Sequence, residues 1–233
     1  MAFVLSIDTS INTASVSLAI DGIVLVREIN TDTKSHGAFI QQAISKIFLD
    51  SKKKLADLDA VAVVNGPGSY TGLRVGLATA KGLCFSLNKP LILLNTLEIL
   101  AQAIINNWKT MVDKNEMQDY LFSPMIDARR MEVFTAIFDT EMKVVETPNA
   151  KILNAQSFDY LLESNKIVFA GNGHQKLKEI LTNTNAFFVD IVDFTHEISF
   201  MAEKFICENK VSDMAYCEPF YIKDVYFAEK SKI

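Results

Sequence analysis

The residues whose types and spacing come nearest to known chemistry form the segment NGPGSYTGLRVG, Asn65 to Gly76. A glycine-rich turn ahead of a helix is a common phosphate cradle, because its backbone N–H groups converge on an anion. The specific patterns fail. Counted from Gly66, a Walker A motif needs glycine at the sixth position followed by Lys and then Ser or Thr, yet Thr71 stands there and Leu73-Arg74 follow Gly72. The dinucleotide pattern G-x-G-x-x-G misses by one residue. A nucleophile elbow G-x-S-x-G is not matched, since Tyr70 takes its last place. Gly66, Pro67 and Gly68 therefore read as a strand-ending turn, with Ser69 stabilising it through its hydroxyl.

In the helix expected to begin near Gly72, Gly72, Gly76 and Ala80 recur every four residues, so one stripe carries almost no side chain. Glycine inside a helix costs about 1 kcal/mol relative to alanine, which points to a close backbone approach. Packing within the lobe and contact with another subunit both remain open. Arg74 projects from the first turn, where it could bind an anion or a partner carboxylate.

Other chemistry is thinly represented. His36, His174 and His196 belong to neither H-x-x-x-H nor H-E-x-x-H, and Cys84, Cys207 and Cys217 lack C-x-x-C spacing or a neighbouring His. We expect reduced, mostly buried thiols and no metal site. Asp8 ends an expected strand, a common place for a metal-binding carboxylate, and Asp127 is its counterpart in the second half. Hydrolysis by that pair is the rival chemistry.

Phe3 to Asp8, Ala14 to Ile20 and Ile23 to Ile29 read as strands, the last two joined by Asp21-Gly22 as a hairpin. Ile40, Ala43, Ile44, Ile47 and Phe48 fall on one face of a helix from Ser35 to Leu49. Ala60 to Asn65 and Leu91 to Asn95 are continuous apolar runs suited to covered parallel strands, with the Gly72 to Leu87 helix between them. Asn95 and Glu98 are spaced like a capping pair for the next helix. Beyond the polar stretch Lys109 to Asp119, strands are expected at Leu121 to Ile126, Glu132 to Phe138 and Lys143 to Glu146. A helix at Ala155 to Glu163, a strand at Ile167 to Ala170 and further helices follow. The architecture repeats, βββαβα twice, although the sequence does not.

The 233 residues, 49% of them apolar, supply one large domain or two modest lobes. No run approaches the roughly 20 apolar residues of a membrane span, and the opening MAFVLSIDTS does not resemble a secretory signal, so a cytoplasmic protein is expected. A net charge of −5 argues against a protein that grips nucleic acid by itself. The basic clusters are Lys52-Lys53-Lys54, read as a solvated helix end, and Arg129-Arg130.

Three segments, FVLSIDTSINTASVSLAI, NGPGSYTGLRVGLATAKGL and DARRMEV from Asp127, resemble the TsaB family, also called YeaZ. Gly171-Asn172-Gly173 and Glu218 to Lys223 echo its later motifs, while Met131 and Lys223 depart from its usual Gly and Arg. The resemblance implies an α/β fold of two actin/Hsp70/sugar-kinase-like (RNase H-like) lobes, each a mixed sheet with flanking helices. The lobes are expected at residues 1–106 and 107–233, with the last helix able to pack back on the first lobe. The resemblance also implies a non-catalytic dimerisation subunit of the bacterial complex that adds threonylcarbamoyl to adenosine 37 of tRNAs (t6A) reading codons that begin with A. Its expected partners are the TsaD catalytic subunit, the TsaE ATPase, a second copy of itself when alone, and tRNA through the complex only. The catalytic relative carries a metal-binding H-x-x-x-H after the strand matching Leu91 to Asn95, whereas Thr96-Leu97-Glu98-Ile99-Leu100 stand here.

The expected partner interface is His36, Ile40 and Ile44 of one helix with Gly72, Arg74, Val75, Gly76, Thr79 and Ala80 of the other. On this reading Gly76→Leu abolishes pairing and spares the fold. No catalytic residue, cofactor or metal is expected, and nucleotide binding is at most weak. The alternative is a metal- or ATP-dependent hydrolase of the actin-like superfamily, a peptidase or nucleotidase using Asp8 and the glycine loop.

Overall fold

The computed structural model describes residues 2–31, 36–113, 115–191 and 193–223, with their side chains except that of His36. Strands β1 (Phe3–Asp8), β2 (Ala14–Ile20) and β3 (Ile23–Asn30) form a meander. Asp21 and Gly22, at φ +49° and +74°, make the hairpin turn that matches the twist of the flanking strands. Then come α1 (His36–Ser51), β4 (Ala60–Gly66), α2 (Tyr70–Leu87), β5 (Leu91–Asn95) and α3 (Thr96–Trp108). The second half holds β6 (Tyr120–Asp127), β7 (Glu132–Phe138), β8 (Val144–Ile152), α4 (Asp159–Leu162), β9 (Lys166–Ala170), α5 (His174–Lys178), β10 (Ala186–Val189) and α6 (Thr195–Cys207).

The two sheets have the same plan, β3-β2-β1-β4-β5 and β10-β9-β6-β7-β8 read in opposite directions. In each, the first strand of the meander pairs antiparallel with the second and parallel with the strand after the first helix. β1 is buried along its whole length and β4 along nearly all of it, because helices cover both faces of the sheet. The edge strand β3 alternates between exposed and half-buried residues.

On one face of the first sheet, Ile40, Ile44 and Ile47 of α1 and Leu77 and Cys84 of α2 close over Leu5, Ile7 and Val63. On the other, one apolar cluster runs from Val4 and Ile92 through Leu100 and Ile104 of α3 to Phe122 and Val168 of the second sheet. α3 thus lies between the sheets, and α6 packs beside it against the first sheet through Ile198 and Ala202. Trp108 closes the far end of α3, its ring 5.3 Å from those of Tyr120 and Phe187.

The departures from expectation are local. Ser35 lies outside the described residues. α2 begins at Tyr70, earlier than Gly72, since the Ser69 hydroxyl accepts from the Gly72 N–H at 3.2 Å and caps the first turn. β8 runs on to Ile152, and the helix expected over Ala155 to Glu163 shrinks to the single turn of α4. β10 was not expected: four half-buried residues, AFFV, carry too little pattern to stand out. Among the described residues no helix is long and apolar enough to cross a membrane.

Candidate functional site

The glycine turn is clamped from both sides by the chain itself. A Cβ on Gly66, at φ +119°, would sit 2.5 Å from the Phe220 carbonyl oxygen, and one on Gly68 would sit 2.0 Å from that of Ser10. The Ser69 N–H donates to the Ser10 carbonyl at 2.6 Å and the Phe220 N–H to the Asn65 carbonyl at 2.8 Å. Two backbone carbonyls of the chain itself are thus pressed on the turn. Gly66, Pro67 and Gly68 serve the turn.

The small-residue stripe faces inward, which corrects the expected interface. Built on Gly72 and Gly76, a Cβ would lie 2.0 Å from the Thr9 carbonyl oxygen and 2.5 Å from Thr9 Oγ1, and that hydroxyl donates to the Gly72 carbonyl at 2.7 Å. Thr9, from the loop between β1 and β2, fills the groove that seemed free for a partner. Ala80, Ile40 and Ile44 are buried in the same lobe, as the inner rows of two helices packed on a sheet must be. Gly72, Gly76, Ala80, Ile40 and Ile44 are therefore core residues, and Gly76→Leu would disrupt the fold. The side chain of His36 lies outside the described residues.

What α1 and α2 offer to solvent is their outer rows. Arg74 is exposed, while Val75 and Thr79 are half-buried, the Thr79 hydroxyl donating to the Val75 carbonyl at 2.9 Å. Sequence reasoning missed Leu49, 77% exposed, and Phe85, 81% exposed, together with Gly82, around which a Cβ would meet nothing within 4 Å. Their signal was available: they sit on the helical rows opposite the apolar ones.

Between the sheets opens a cavity of about 670 Å³. The loop from Ser10 to Asn12 and the start of α2 form one wall, the β6–β7 turn with Phe134 and Asn172 forms the other, and Tyr221 and Lys223 reach across. Tyr70 and Tyr221 lie with ring centres 5.2 Å apart, and the Arg74 guanidinium sits 4.0 Å over Tyr70 while Nε donates to the Tyr221 hydroxyl at 3.1 Å. Lys223 pairs with Glu132 at 2.5 Å, and Lys176 with Asp127 at 2.6 Å. At the turn, Arg129 and Arg130 hold φ of +68° and +49°, which costs a non-glycine residue about 1–2 kcal/mol each. The Arg129 N–H donates to Asp127 Oδ1 at 2.6 Å and fixes this geometry.

Asp8 and Asp127 do not share the cavity. Asp8 is buried beside a separate hollow of about 20 Å³ that Asp193 also lines. Burial pushes its carboxyl up to about 6, opposed by the Ser10 N–H at 2.8 Å. Asp127 is exposed at the β6 end with its charge met by Lys176. Among the described residues no three His, Cys, Asp or Glu side chains are grouped to hold a metal. His174 is buried with Nδ1 at 2.5 Å from the Gly171 carbonyl, and His196 is exposed. Burial raises the Cys84 thiol to about 11.

A family model described as TsaD, tRNA N6-adenosine threonylcarbamoyltransferase, matches residues 24–226. The tRNA threonylcarbamoyladenosine biosynthesis protein TsaB of Bacillus subtilis is 30% identical over 190 residues, covering 79% of this chain and 78% of that protein. The chain belongs to the TsaB family. The Escherichia coli TsaB is 33% identical over 138 residues, 59% of this chain and 55% of its own length. The fold agrees: YeaZ from Pseudomonas aeruginosa superposes with a TM-score of 0.76 at 20% identity, over 95% of this chain and all of that one. A second solved structure, described as an uncharacterized protein with similarity to peptidase YEAZ from the same organism, gives 0.79 at 20% identity over 96% and 100% of the two chains.

Proposed function

We propose that the chain is the non-catalytic dimerisation subunit of the cytoplasmic machinery that adds threonylcarbamoyl to adenosine 37 of tRNA, and that it binds and activates a TsaD-type transferase. The observation that carries this reading is the pair of outward apolar residues on adjacent helices, Leu49 on α1 and Phe85 on α2, beside the open backbone of Gly82. Two exposed helix rows with a small-residue gap accept two helices of another subunit at short axial distance. The names of the relatives supply the pathway. In α3, Thr96, Leu97, Ile99 and Leu100 are buried core residues; the family resemblance implies metal ligands at this place in the catalytic relative, which favours the accessory role. A TsaE-type ATPase would join this pair, a second copy of the chain would cover the same face in its absence, and tRNA would arrive with the complex.

The test is co-purification with the TsaD-type protein of the same organism, using Leu49→Asp/Phe85→Asp. Both side chains point to solvent, so the circular dichroism spectrum should be unchanged while recovery of the partner falls about a hundredfold or more, as for loss of two central apolar anchors. Undiminished recovery would sink the proposal. Micromolar Mg-ATP binding in calorimetry, with no pairing, would favour the hydrolase instead.

A further inference from the structure

We propose that the cavity between the two sheets binds a single-stranded RNA segment, with Arg129 on a backbone phosphate and the Tyr70–Tyr221 pair against a base. The cavity of about 670 Å³ exceeds what a single water network needs and opens between loops of both lobes. Two cations line it, Arg129 and Lys223, and they are not equivalent. Lys223 is neutralised by Glu132, and outside the lining Lys176 is paired with Asp127 and Arg74 is held by Tyr70 and Tyr221. The guanidinium of Arg129 makes no hydrogen bond or ion pair among the described residues and lines the cavity. One uncommitted cation suits a phosphodiester, with one negative charge per phosphate, better than a triphosphate, with several.

The remaining lining fits the rest of a nucleotide unit. Tyr70 is 37% exposed; the Arg74 guanidinium takes one face of its ring and Tyr221 lies tilted beside it, so a base would stack on the face turned away from Arg74, as bases of any sequence do on such rings. The side-chain N–H₂ groups of Asn12 and Asn172 are uncommitted among the described residues and stand on opposite walls, where a base edge or a ribose hydroxyl would meet them. Ser10, wholly buried, contributes to the wall; its hydroxyl lies toward Asp8 yet completes no hydrogen bond. With a net charge of −5 the contact is weak by itself and gains strength when a partner brings the RNA. The inference rests on the RNA-modification setting of the family and not on pairing with a TsaD-type subunit, so the two fail separately.

Fluorescence polarisation of a labelled single-stranded RNA oligonucleotide with the full chain, at low ionic strength, tests it. Arg129→Gly removes the guanidinium and relaxes the positive φ, so folding is protected. Expected is binding about tenfold weaker with a salt slope lower by about 0.7, the value for one phosphate contact on a single strand. Tyr70→Ala should also cost about tenfold, the loss of one stacked base, with the slope unchanged. Lys52→Gly, a second positive-φ cation, which lies after α1 and away from the cavity, should bind as the original chain does. No RNA binding by the original chain, or equal binding by Arg129→Gly, would overturn the proposal. So would displacement of the RNA by a lower concentration of Mg-ATP, which would assign the cavity to a mononucleotide.

Discussion

Asp8 shows how one residue can be well placed in sequence and still mean something else. A carboxylate at the end of a central strand looks like a ligand or a base, but here it is buried beside a small hollow of mixed polar and apolar lining, and burial lifts it from 3.8 to about 6. Between those two pH values the folded chain holds a proton that the unfolded chain has lost. The stability linked to this proton is complete below about pH 4 and disappears as pH rises through about 6. At neutral pH the buried charge costs up to about 3 kcal/mol, from 1.36 kcal/mol for each pH unit between the two values. Asp8→Asn keeps an acceptor for the Ser10 N–H and has no charge to bury. It should therefore be more stable than the original by about 1–3 kcal/mol at pH 7.5, with the gap closing near pH 4, in urea denaturation at both. A loss of equal size at both pH values would show that the carboxylate, not its proton, is what the site needs.

At the scale of elements, the sequence carried most of the strands and helices because their signals are local. β1, β4 and β5 are largely apolar runs bounded by turns, β2 alternates, and Asn95 caps α3 as its spacing predicts, accepting from the Leu97 N–H at 2.9 Å. The facing of α2 was misjudged because glycine spacing says that something comes close without saying what. Thr9, more than sixty positions earlier, is a contact no local pattern contains. The candidate cavity was equally illegible, since it joins Tyr70, Arg129 and Tyr221 through tertiary packing alone. The two kinds of glycine in α2 now separate by experiment. Gly72→Ala drives a methyl into the Thr9 carbonyl and should cost about 3 kcal/mol, the upper range for overpacking a core. Gly82→Ala meets open space and should add about 1 kcal/mol from helix propensity. Thermal melts of the isolated chain rank them, and equal effects would remove the distinction between inner and outer rows.

For the whole molecule, the repeated strand order suggests two bodies, but the packing makes one. The cluster from Val4 to Val168 passes through α3, and α6 from the second half covers the first sheet. Unfolding should accordingly be a single transition. The sole tryptophan, Trp108, lies where α3 meets Tyr120 and Phe187, so its fluorescence reports the junction while far-ultraviolet circular dichroism reports the sum. Coincident urea midpoints are expected. A fluorescence change well ahead of the dichroism would mean that the lobes part before they melt.

The seating of α6 and Phe220 on the first sheet also sets a timetable for synthesis. Val4, Ala62 and Ile92 leave the ribosome before any of the second sheet, yet Ile198 and Ala202, which share their cluster, and the Phe220 N–H, which bonds the Asn65 carbonyl, emerge only after its last strand. A ribosome that has made the first sheet displays it greasy and half-roofed until α6 has followed. That nascent intermediate is the form a holding chaperone would have to recognise.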